Sequence, residues 1–164
     1  MSPNEHAVPR IAGRRGAERR RFATAARAAE DRGLRRLAIA LSDPDPAARV
    51  QALGVVGELS EDVATSLLAG ALVDTNASVR CAAAAAAAQA KAHGVVFSLI
   101  IALEDPDLKV RKAAAAALAT ITGKDTDFGD DEDQRSAKIE ELKRWWKQLR
   151  FEQLAGKLDS EVAK

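Results

Sequence analysis

The sequence predicts an all-α fold, a stack of antiparallel helix pairs, and three observations carry that expectation. The first is composition. Of 164 residues 36 are Ala, 37 are Leu, Ile, Val or Phe, two are Trp and none is Tyr. Large core formers make up about 23% of the chain, just above the roughly 20% below which chains tend to disorder, so a core here needs close backbone approach. Ala-rich helices allow that approach, whereas sheets draw on β-branched and aromatic residues. The second observation is an internal repeat. Leu37, Ala40, Leu41, Asp43, Arg49 and Ala52 recur 31 residues later as Leu68, Ala71, Leu72, Asp74, Arg80 and Ala83, and again as Leu99, Ala102, Leu103, Asp105, Arg111 and Ala114. The third is that turn and cap signals fall at the same place in each unit.

In chain order, residues 1–15 read as a basic tail, expected to be mobile, and residues 16–32 as an N-terminal capping helix with Phe22 at the register position of Leu53. Residues 33–123 hold the three repeats. The first helix of the first unit covers 33–41, with Leu34, Leu37 and Leu41 three and four apart on one face. It stops at Ser42-Asp43-Pro44-Asp45-Pro46, because each Pro disfavours helix at the residue before it and has no N–H to donate. Asp45 then fits the N-cap and Pro46 the first position of the second helix, and Asn76 and Asp107 take the cap position in the later units. The second helices are expected at 47–59, 77–91 and 107–122, ended by breaks such as Lys91-Ala92-His93-Gly94 and Thr122-Gly123. Residues 124–134 read as an acidic loop. The period then fails, since Ser136 stands where Asp would recur, and 135–156 read as a C-terminal capping helix with Ile139, Leu142, Trp146 and Leu149 along one side and Trp145 at its edge. Residues 157–164 are left as a tail.

The motif A-L-x-D-P-D-P-x-x-R, at Ala40 to Arg49 and again as ALEDPDLKVR at Ala102 to Arg111, resembles the HEAT family, in particular its short HEAT-like repeats first associated with phycobilin lyases. The middle copy, ALVDTNASVR, lacks both prolines, which leaves its turn conformation open. The resemblance implies a right-handed α-α superhelix, a HEAT-like solenoid, whose second helices line the concave face. It also implies a structural ladder of Asp43, Asp74 and Asp105 with Arg49, Arg80 and Arg111 between neighbouring repeats. The segment from Thr122 to Gln148, with Asp127-Phe128-Gly129 and Trp145-Trp146, is similar to an ending of bacterial HEAT-repeat proteins.

Few residues suggest chemistry. The single cysteine, Cys81, excludes an internal disulfide and a Cys-based zinc site, and the adjacent Arg80 suggests a lowered thiol pKa, against the plainer reading of an inert small residue. Asp125, Asp127, Asp130, Asp131, Glu132 and Asp133 offer carboxylates to a hard cation, but Gly129 and Asp130 break the calcium-loop spacing, so no metal is expected. The only histidines, His6 and His93, have no neighbouring nucleophile or base pattern, and no phosphate loop is present, which argues against an enzyme or a cofactor. The longest apolar stretch, 95–103, is nine residues, against the roughly 20 that span a bilayer. Arg19-Arg20-Arg21-Phe22 resembles a twin-arginine export core without the apolar run that should follow it, so a cytoplasmic location is expected.

Charge is uneven: residues 1–36 carry a net +6, residues 125–133 a net −6, and the repeats between them are slightly acidic. Arg14, Arg15, Arg19 and Arg20 suit phosphates or an acidic protein. The functional expectation is a non-catalytic protein-binding scaffold or adaptor. Its partner is another protein, met by the exposed residues Gln51, Glu58, Gln89 and Lys112 of the second helices and secondarily by the arginines. Aligned small residues, Gly54, Ala85, Ala116 and Gly57, Ala88, Ala119, are expected to smooth that face for a partner helix or peptide. Nucleic-acid binding through the Arg cluster is the alternative, and phycobilin-lyase-like chromophore handling, implied by the resemblance alone, is the second.

Overall fold

The structure, a computed structural model, describes residues 31–124, 126 and 132–162, with side chains described as far as residue 155. The Arg-rich segment with Arg14, Arg15, Arg19 and Arg20, the capping helix expected before Asp31, and Asp125 with residues 127–131 lie outside the described residues. The chain divides into two compact units between Ile39 and Ala40. The division falls inside the first expected repeat.

All regular structure among the described residues is helical. Helix α1 covers residues 31–40. In the second unit follow α2 (Pro46–Val56), α3 (Glu61–Ala71), α4 (Ala77–Gln89), a short 3-10 turn His93–Val95 leading into α5 (Val96–Ala102), α6 (Leu108–Thr122) and α7 (Glu132–Val162). The fold is an all-α solenoid.

The cap signals act through specific bonds. Asp45, Asn76 and Asp107 sit in extended backbone and accept from the amides of Ala47, Ser78 and Lys109 at 2.9, 2.9 and 2.7 Å. The middle turn, without prolines, keeps the same geometry, with Asn76 at φ −92° and ψ 123° against −85° and 122° at Asp107. The side-chain bond specifies this turn, and proline only reinforces it. At the other end α6 closes on Gly123 at φ 68°, where a left-handed residue frees the amide to reach the Ala119 carbonyl.

Two helices differ from the sequence reading by three residues or more at an end. Helix α2 stops at Val56 with Gly57 as its cap, so Glu58 stands in the following turn and not on the helix. Helix α7 begins at Glu132 and runs to Val162, absorbing the end of the expected acidic loop and most of the expected tail. Glu132 and Asp133 occupy its first turn, where carboxylates meet the positive end of the helix dipole.

The second helices approach one another most closely, α4 against α6 and α2 against α4. Ala83, Ala84, Ala87, Ala114 and Ala117 line these seams with at most 1% exposure, so backbones meet where larger side chains would hold them apart. The first helices pack outside them, α3 on α4 and α5 on α6, with Leu68, Leu99, Ile100 and Leu103 filling the space between. Helix α7 closes this end against α5, burying Ile139 and Leu142. Trp145 and Trp146 are half-buried, their rings 5.8 Å apart, with Lys124 Nζ 4.5 Å above Trp145. The Thr126 hydroxyl is buried and donates to the Ala115 carbonyl at 2.7 Å, tying the chain back to α6 before α7 begins.

Candidate interaction surfaces

A ladder of charged side chains sets the spacing of the second helices. Arg49 Nε and Nη2 donate to both carboxylate oxygens of Asp74 at 2.8 Å, while its Nη1 reaches the Asp43 carbonyl at 2.7 Å. Arg80 repeats this, with Nε and Nη2 on Asp105 at 2.7 and 2.8 Å and Nη1 on the Asp74 carbonyl at 2.7 Å. Each arginine therefore clamps its own turn and the next one. The paired fork holds the Asp74 and Asp105 carboxyls below the usual carboxylate range and raises both guanidiniums. Each aspartate also accepts the amide two residues on, from Asn76 and Asp107. The end members are used by half. Arg111 holds the carbonyls of Asp105 and Pro106 but no carboxylate among the described residues, and Asp43 accepts the Asp45 amide at 2.8 Å but no guanidinium.

The face presented by α2, α4 and α6 carries the exposed small residues Gly54, Ala85 and Ala116 at equivalent positions. Gln51, Gln89 and Lys112 on these helices are also exposed, as is Glu58 in the turn after α2. The second row of small residues is not open as expected. Gly57 is buried, because the Gln89 side chain lies over it: a Cβ built at Gly57 would come 2.6 Å from Gln89 Oε1. Ala88 is half-buried and only Ala119 is exposed. The smooth strip is one residue wide in α2 and α4 and two in α6.

Cys81 on α4 is half-buried, and its thiol pKa is raised, first by burial and then by the Asp107 and Asp105 carboxylates, which outweigh Arg80. Arg80, with its fork on Asp105, still pulls the thiol down, but burial and the two carboxylates outweigh it. Alkylation of Cys81 by iodoacetamide at about pH 7.5 is therefore expected to run slower than that of free cysteine. Labelling followed by intact-mass measurement checks this, and a rate matching free cysteine contradicts it.

His93 is exposed, and its backbone amide donates to Glu61 Oε1 at 2.9 Å. Among the described residues no group of three or more His, Cys, Asp or Glu is placed to hold a metal ion. No helix searched is long and apolar enough to cross a membrane. One surface the sequence reading did not single out joins Phe97 of α5 to Trp146, Lys147 and Arg150 of α7.

A family model described as HEAT repeats matches residues 34–119. No curated protein matches the chain.

Proposed function

Because the chain belongs to the HEAT-repeat family, whose model spans just over half of it, we propose that it is a non-catalytic cytoplasmic scaffold that binds another protein on its second-helix face. HEAT repeats commonly serve as protein-interaction scaffolds. The observation that carries the reading here is the exposed strip Gly54, Ala85 and Ala116, rimmed by Gln51, Glu58, Gln89 and Lys112. Small residues let a partner's backbone approach closely, and the polar rim supplies hydrogen bonds at its edges. The Arg-rich N-terminal segment, with Arg14, Arg15, Arg19 and Arg20, adds a secondary contact for acidic surface.

Ala85→Trp with Ala116→Trp fills the strip at two exposed positions, so the fold is expected to survive while the partner is lost. The check is affinity purification from the native cell with mass spectrometry, comparing this double variant with the unaltered chain after circular dichroism has shown both to be equally helical. Retention of every partner by the folded variant sinks the proposal.

A further inference from the structure

Between α5 and α7 lies an open groove of about 550 Å³. Phe97 and Trp146 give it apolar surface, and Lys143, Arg144, Lys147 and Arg150 line it against a single carboxylate, Glu140. Lys143 is already engaged, 2.8 Å from Glu140 and 3.3 Å from Glu104. Elsewhere on α7 cations pair in the same way, Arg135 with Glu132 and Lys138 with Glu141. Arg144, Lys147 and Arg150 differ. Among the described residues none has a carboxylate partner, although Arg144 Nε donates to the Glu140 carbonyl at 3.3 Å. They recur every third residue, which keeps them along one side of the helix. One turn beyond Lys147 and Arg150 on that side come Phe151, 74% exposed, and Leu154, 56% exposed.

The repeat register supplies a second, independent observation. Position 97 corresponds to Ser66 in the preceding repeat and to Arg35 in the first, both exposed. The fold is thus satisfied by small or polar groups there. In the third repeat the same position carries Phe97, 48% exposed. A large aromatic group thus stands on the surface beside the unpaired cations of α7.

We propose that the α5–α7 groove docks an acidic amphipathic helix of a partner protein, on a surface separate from the second-helix face. Its apolar side chains lie on Phe97 and Trp146, and its carboxylates meet Arg144, Lys147 and Arg150. An acidic helix supplies both chemistries in one rigid element, with anchors three and four residues apart and charge on the flank. A nucleic-acid duplex would use the three cations for its phosphates and leave the aromatic surface without a role. A bilayer would reach Phe151 and Leu154, but Phe97 and Trp146 line a recess between two helices.

The test begins with random peptides displayed on phage and selected against the full chain. Acidic sequences with Leu, Phe or Trp three and four apart are expected to enrich. A fluorescein-labelled copy of one such peptide, followed by fluorescence anisotropy, should bind more weakly as salt rises, and about tenfold or more weakly to the K147E/R150E variant. Phe97→Ser, which installs the residue of the preceding repeat, should weaken it likewise, while Ala85→Trp should leave it unchanged. A charge-swapped peptide, Lys for each Glu, should regain binding to K147E/R150E, which shows that variant to be folded and the contact to be direct. Enrichment of non-acidic peptides, or unchanged binding to both groove variants, overturns the proposal. So does a labelled DNA duplex or a phosphatidylserine vesicle that binds as tightly as the peptide and is lost with the same double substitution.

Discussion

Leu99→Ala is expected to lower the unfolding free energy by about 3 kcal/mol or more, toward the upper part of the range for such truncations. Leu99 is fully buried on α5, which packs on α6 and on α7. The cost of a cavity depends on how far its walls relax into it. The helix it packs on, α6, is rich in alanine, with Ala114 and Ala117 buried. An alanine has no rotamer to change, so the space stays open unless whole helices shift. Against a total stability of about 5 to 15 kcal/mol this is a large fraction. Urea unfolding followed by far-UV circular dichroism measures it. A loss below about 1 kcal/mol would mean that the stack closes over the gap, contrary to the rigidity attributed to the alanine seams.

Arg80→Met is expected to cost roughly 2 kcal/mol near neutral pH, the low end for breaking a charged pair, because the ladder's edge meets solvent. The substitution keeps the aliphatic stem and removes the fork that holds Asp105 and the Asp74 carbonyl. Arg111→Met should cost about half as much, since among the described residues that side chain holds only the carbonyls of its own turn. The effect has a pH signature. Asp74 and Asp105 have folded pKa values below their unfolded ones. A depressed carboxylate adds stability that is present above its unfolded value, about 3.9, and is lost as pH falls through the lower folded value. The gap between Arg80→Met and the unaltered chain should therefore be widest above about pH 5 and narrow toward about pH 2. Urea midpoints across that range check the trend, and a gap that stays constant with pH would show that the pair contributes only packing.

Much of this architecture is legible in the sequence because its determinants are local. A proline, or an Asx side chain that caps its own helix, acts within a few residues. The Asp and Arg that must meet across a repeat boundary leave a mark at fixed spacing. What stayed hidden depends on groups distant in the chain. The Gln89 amide covers Gly57 32 residues away, so a position that looks open by composition is closed. The thiol of Cys81 responds to burial and to Asp107 more than to the arginine beside it. The α5–α7 groove escaped because α7 lies outside the period, and no register predicts what it leaves unpaired. Its signal was nevertheless present, in Phe97 standing where the preceding repeats have Ser66 and Arg35.

The ladder also has a direction. Arg49 and Arg80 each close their own turn through one nitrogen and offer two others to an aspartate 25 residues further on. Emerging from a ribosome, a turn that has just closed already holds its guanidinium, forked and ready, toward a carboxylate not yet made. Every completed unit is a template for its successor, and the array is suited to being laid down in the order in which it is translated.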